Sequence, residues 1–154
     1  MNLDIIIDSR EKLPFEFTSS KVNSVTTRKL DTGDYSLEGF EDILCIERKD
    51  SVSEFYNNIT QKRFWAEMER MKNYKYRFLL FEFSVSQVEQ FPYGAGLPKN
   101  VINKLKISSA YLMKCIARIQ IEYGIHVVFG EDRDNSVYLT TNIMKAVYDR
   151  EDKN

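Results

Sequence analysis

The sequence predicts an α/β fold, a mixed central β-sheet flanked by helices. Up to about residue 49 the chain holds short β-branched or alternating segments separated by tight-turn residues. From Asp50 onward the apolar period lengthens from two to about 3.6, as in an amphipathic helix. Beyond that point helical and strand-like segments alternate, an order that packs helices on a sheet.

The elements follow from local chemistry. Leu3 to Ile7 is apolar and β-branched, so it reads as a buried strand that stops in the polar cluster Asp8-Ser9-Arg10-Glu11-Lys12. Val22 to Leu30 is rich in Val and Thr and reads as a second strand, closed by the tight turn Asp31-Thr32-Gly33-Asp34. Tyr35 to Leu37 and Ile43 to Lys49 form an antiparallel pair through Glu38-Gly39-Phe40-Glu41-Asp42. Val52, Phe55, Tyr56 and Ile59 share one helical face behind a Ser51 or Ser53 cap. Phe64, Trp65, Met68 and Met71 continue out of phase, so the helix breaks near Thr60-Gln61. Tyr76 to Phe83 is a central strand and Gln90 to Pro98 a loop. One long helix is expected over 98–122, closed by Gly124, then a strand from Ile125 to Phe129 and a last helix over 134–148. Residues 1–150 are read as a single domain and 151–154 as a frayed tail.

Composition narrows the chemistry. Of 154 residues, 43% are hydrophobic and 20 are aromatic, enough to bury a core and exclude wholesale disorder. No apolar run reaches the roughly 18 residues of a membrane span, and no basic-then-apolar leader opens the chain. The expectation is an intracellular protein with no membrane partner, in the cytoplasm or nucleoid, or in a host cytoplasm if a virus encodes it. Cys45 and Cys115 form no CxxC pair, and His126 is the only histidine, which argues against thiolate zinc and histidine-dependent centres. Net charge is −1, but the distribution is uneven. Residues 1–54 hold 12 acids and 7 bases, whereas 60–77 hold 6 bases and 2 acids, and 98–118 hold 5 bases and no acid. Basic helices beside an acidic segment suit a phosphate-bearing partner and a cation.

One constellation carries chemistry. Glu47 and Lys49, two apart on a strand, leave the same face. Asp34 opens the neighbouring strand, and Asp8 and Glu11 end the first. If these strands adjoin, four acids converge near one lysine, an arrangement relieved by a divalent cation with hard oxygen ligands, Mg2+ or Mn2+. About two acid-x-Lys triplets are expected by chance at this composition, and Glu151-Asp152-Lys153 is one without strand context. The triplet at 47–49 is distinguished by its strand, the Gly-Asp turn before it and the acids ending the first strand. A charged edge strand that discourages aggregation is the structural alternative.

Asp8-Ser9-Arg10-Glu11, Gly33-Asp34 and Glu47-Arg48-Lys49 resemble the D-x-R-E, G-D and E-R-K signature of the XPF-type nucleases, relatives of archaeal Hef in the PD-(D/E)xK superfamily. The resemblance covers nearly the whole chain and continues into a helix, a turn with Arg63 and a second helix. It implies the restriction-endonuclease-like fold and metal-dependent endonucleolytic cleavage of branched or flapped DNA in recombination or repair. Asp34, Glu47 and Asp8 would be metal ligands and Lys49 would act at the attacking water, with Glu11 and Arg48 completing the catalytic group. Arg10, Lys62, Arg63 and Arg70 would contact DNA. Ser53 stands where the family usually has an acid, with Glu54 next to it, and the chain leaves no room for a helix-hairpin-helix module. A catalytically silent DNA-binding or scaffold partner of the same fold is the rival, and a restriction-like sequence-specific nuclease a third possibility. A homodimer is expected, because Val101, Ile102, Leu105, Tyr111, Leu112, Ile116, Ile119 and Ile121 exceed one core-facing stripe.

Overall fold

Six strands form one sheet in the computed structural model, which describes residues 2–154. They are β1 (Leu3–Asp8), β2 (Val22–Arg28), β3 (Tyr35–Leu37), β4 (Leu44–Lys49), β5 (Tyr76–Phe81) and β6 (His126–Phe129), in the spatial order β2-β1-β3-β4-β5-β6. The pairs β1/β2, β4/β5 and β5/β6 are parallel, and β3 runs antiparallel to both β1 and β4. The mixed, helix-flanked sheet expected from the sequence is therefore present. Six helices accompany it: α1 (Val52–Ile59), α2 (Lys62–Met71), α3 (Val85–Gln90), α4 (Lys99–Ile102), α5 (Ser109–Tyr123) and α6 (Arg133–Asp152).

Both sheet faces are covered, which is why β1 and β4 are buried along nearly their whole length. Cys45, Leu79 and Phe81 point into a core closed by Phe55 of α1, Phe64 and Met68 of α2, Val88 of α3 and Leu112 of α5. Leu44, Ile46 and Leu80 point the other way, into a core with Leu3, Ile5, Phe15 and Tyr35 under Met144 and Val147 of α6. Burial of each large apolar side chain contributes about 1.5–3 kcal/mol, and these two layers fix the direction of every side chain on β4. Of the strands, β2 alone lies almost wholly exposed, at the sheet edge.

Three elements differ from the sequence expectation. A helix, α3, follows β5 where none is expected, started by a reciprocal cap in which Ser84 Oγ accepts from Gln87 N and Gln87 Oε1 accepts from Ser84 N. The long helix expected over 98–122 is two helices. Between them Leu105 and Ile107 pack on the core while Lys104 and Lys106 stay exposed, a period of two, and Ser108 then caps α5 through Tyr111 N at 3.2 Å. The last helix continues to Asp152 instead of stopping at 148, because Glu151 is tied back to β5. Its Oε1 accepts from Lys75 Nζ at 2.5 Å and from Tyr76 OH at 2.7 Å. No helix among the described residues is long and apolar enough to cross a membrane.

Candidate active site

The topology gathers the polar residues. Because β3 opposes β1 and β4, the C-terminal ends of β1 and β4 and the N-terminal end of β3 lie at one edge of the sheet, where open α/β sheets place their ligands. Asp8 ends β1, Asp34 precedes β3, and Glu47 and Lys49 close β4. Asp34 is held from three sides: its N–H donates to Ile46 O at 2.8 Å, its carbonyl accepts from Asp8 N at 2.8 Å, and its carboxylate accepts from Arg48 N at 2.8 Å. The turn before it needs Gly33, at φ +88°, where a Cβ would stand 2.6 Å from Cys45 Sγ.

On the face of Glu47 and Lys49 negative charge is under-compensated. Burial, followed by the Asp34 and Glu67 carboxylates, pushes the Glu47 carboxyl well above its usual range. Burial and the Glu11 charge push Asp34 up to about 6. The hydrogen bond from Arg48 N and the charge of Lys49 bring Asp34 back only part of the way. Lys49 Nζ stands 3.4 Å from Glu47 Oε1 and 5.5 Å from the centre of the Phe64 ring. Burial would discharge this ammonium, but Glu47, Glu67, Glu54 and Asp34 outweigh it and hold the lysine charged. Glu67 of α2 leans on the same group, and its Oε1 is shut off from solvent without a partner.

On the opposite face charges are matched. Arg48 donates to Glu11 at 2.6 and 3.0 Å and to Glu82, and its guanidinium lies 5.5 Å from the Phe15 ring centre. Arg133 reaches Glu82 at 3.3 Å and the carbonyls of Leu13 and Pro14, which clamps the 11–15 segment onto α6. Asp8 is likewise occupied: it accepts from Arg10 N, Nε and Nη2 and from Leu30 N at 2.7 Å. Burial raises its carboxyl, yet these donors bring it below the usual range.

A profile of the ERCC4 domain matches residues 7–143. The chain belongs to the ERCC4-domain family. Two solved structures are similar in fold: XPF from Aeropyrum pernix, at TM-score 0.70 and 20% identity, and the same protein in complex with DNA, at 0.69 and 20%. Each comparison covers 97% of this chain, and the chain spans 67% and 66% of those two chains. No curated protein sequence matches it. The fold, a six-stranded mixed sheet flanked by helices, is shared with these XPF structures.

Within this ERCC4 domain the structure separates the residues singled out in the sequence. Glu11, Asp34, Glu47, Arg48, Glu54 and Arg10 line one cavity of about 480 Å³, and Asp8, Asp34, Glu47, Glu67 and Arg70 line a second of about 230 Å³ beside it. Arg70 reaches Thr32 Oγ1 at 3.4 Å; Lys62 and Arg63 are exposed at the start of α2, with Arg63 Nε on Gln61 Oε1, and line neither cavity. Of the two residues at the position of the family's further acid, Ser53 lies outside this cavity, while Glu54 accepts from Asp50 N at 2.8 Å. Burial and the hydrogen bond with Asp50 push Glu54 up to about 7. Glu67 is absent from the sequence reading. Glu67 and Arg70, three apart on α2, both line the smaller cavity, but the charge pattern of the helix does not by itself turn that face toward the site.

Proposed function

We propose that this chain is a divalent-metal-dependent endodeoxyribonuclease that hydrolyses phosphodiesters at branched, flap or junction DNA in recombination or repair. The observation that carries this reading is the pair of Asp34, half-buried, and Glu47, buried, at the strand ends beside a charged lysine. Carboxyls held this far above their usual range call for a cation, and the hard oxygen donors fit Mg2+ or Mn2+. Among the described residues no three His, Cys, Asp or Glu side chains stand as a ready-made cage. That suits Mg2+, which is commonly held by one or two carboxylates and retains waters for substrate phosphate to replace. The orphaned Glu67 Oε1 adds a further oxygen on the same side.

Asp34 and Glu47 would hold the metal, which when bound would supply polarisation of the phosphoryl oxygen and a more acidic water. Lys49 orients the attacking water and offsets the charge that develops on the phosphoryl group. Asp8, its acceptors filled, positions Arg10 at the rim, and Glu11 with Arg48 positions Asp34 through the Arg48 backbone N–H. Arg10, Lys62, Arg63 and Arg70 take DNA phosphates. The protein works inside the cell as a homodimer, supported by the exposed Ile121 and Tyr111 on α5; light scattering at micromolar concentration should then give about 36 kDa, twice 18.1 kDa. Incubation with flap, fork, Holliday-junction and linear DNA in Mg2+ or Mn2+ tests the activity. Cuts that vanish in Glu47→Ala support it. Binding without cuts by the wild type leaves the silent scaffold.

A further inference from the structure

A cavity of about 210 Å³ opens beside the catalytic edge, between the N-terminal end of α1 and the segment that follows α3. Asp50, Ser51, Ser53 and Glu82 form one wall, and Gln87, Gln90, Tyr93, Gly94 and Ala95 the other. Asp50 lines both this cavity and the larger one that contains Asp34 and Glu47, so the two share a wall one residue beyond Lys49. The volume lies below the roughly 300–1,000 Å³ of drug-sized sites and suits a single planar ring system. Its lining mixes apolar surface with carboxylate, hydroxyl and amide groups. Gln87 Oε1 accepts from Ser84 N at 2.8 Å, and its amide N–H groups donate to no other group among the described residues. At the mouth, Tyr93 is 69% exposed, an aromatic face with no ring partner among the described residues. The segment is also electrically distinct: residues 90–121 carry five bases and no acid.

We infer that this cavity receives one unpaired nucleobase of the DNA strand next to the cleaved phosphodiester, with Tyr93 stacked on its face. This rests on the nuclease reading and adds to it a means of choosing branched over paired DNA. A base within a duplex cannot enter, because its edge and both faces are occupied by its pair and its stacking neighbours. A base at a fork or flap is already unpaired and costs least to unstack. Its exocyclic amino group can donate to Asp50, its ring oxygens and nitrogens can accept from Gln87, and Lys99, Lys104 and Lys106 of the same segment favour the backbone that carries it.

The test uses a fork oligonucleotide with 2-aminopurine as the first unpaired base, beside a duplex of the same sequence, in EDTA so that nothing is cut. Wild type and Tyr93→Phe should quench the probe on binding, and Tyr93→Ala should not. The fork-to-duplex affinity ratio should fall about tenfold in Tyr93→Ala, the loss expected of one base-aromatic stack. Tyr138→Ala, equally exposed on α6 at 69%, should keep the wild-type ratio. An unchanged ratio or retained quenching in Tyr93→Ala overturns the pocket. Quenching by a wild type that cuts no substrate in Mg2+ or Mn2+ keeps the pocket and removes the nuclease. A wild type that binds no DNA removes both.

Discussion

The two faces of β4 carry charges of opposite fate. Arg48 points to one face and finds Glu11 and Glu82, each side chain only 6–7% exposed, with Arg133 and the Phe15 ring completing the enclosure. Burial opposes ionisation of Glu11, but Arg48 wins and its carboxyl stays below the usual range. Glu47 and Lys49 point to the other face, where Asp34 and Glu67 add negative charge and only one ammonium answers it. Six residues of one strand thus hold a satisfied ionic network and an unsatisfied one, back to back. A matched buried network is architecture, whereas an unmatched one keeps coordination capacity for something absent from the protein itself.

That contrast can be broken from either side. The largest effect belongs to the matched face: Arg48→Met leaves Glu11 buried without its cation and Glu82 with Arg133 alone, and should cost about 3–5 kcal/mol. For a domain of this size that lowers the melting temperature by roughly 10 °C, readable by calorimetry. A loss under 1 kcal/mol would show that the network is dispensable.

On the unmatched face Lys49→Ala should reduce turnover by about 10²-fold or more while calorimetric titration with Mn2+ still registers binding, since the amine acts on water and the developing charge. Loss of binding and activity together with the fold would make Lys49 architectural, like its neighbour on the other face.

A smaller effect, of opposite sign, follows from removing a charge where charge is in excess. In metal-free buffer Asp34→Asn should raise stability at pH 7 by about 1 kcal/mol, or roughly 3 °C, while cleavage disappears. The folded-state pKa of Asp34, about 6, lies above the unfolded value of 3.8, so its contribution is fully present below pH 3.8 and is lost as pH rises through 6. The advantage of Asp34→Asn should therefore shrink as pH falls from 7 to 4. A difference that does not change with pH across that window would mean Asp34 is not strained.

The smallest effect lies outside both faces. Replacing two of Lys62, Arg63 and Arg70 should flatten the dependence of DNA affinity on salt by up to about two units of slope, and an unchanged slope would return them to ordinary solvated surface.

Sequence alone carried the strands of this contrast further than their contents. The β-branched run at Leu3 to Ile7, the Gly-Asp turn and the period change at Asp50 are local signals, and the elements they mark are present. Which acids are spent is not local. Glu11 and Arg48 stand 37 positions apart and Arg48 and Glu82 34, so their pairing exists only once β1, β4 and β5 are assembled. Glu67 lies 20 residues past Glu47, on a helix whose rotation about its axis no periodicity of charge defines closely enough. The missed α3 is different, since Ser84-x-x-Gln87 directly after a strand is a start signal that was available. Apolar content alone suggests one helix over 98–122, but across Leu105 and Ile107 its period is two, which breaks the helix there.

Gly33 sets a limit on how this domain can diverge. Its backbone conformation disfavours any side chain, and the space a first carbon would need is held by Cys45 Sγ and, at 3.1 Å, by the Ile46 carbonyl. Trimming Cys45 would clear only the sulfur; the carbonyl and the positive φ would remain, so no single compensating change restores the turn. In descendants of this sequence the position beside Asp34 stays closed to exchange.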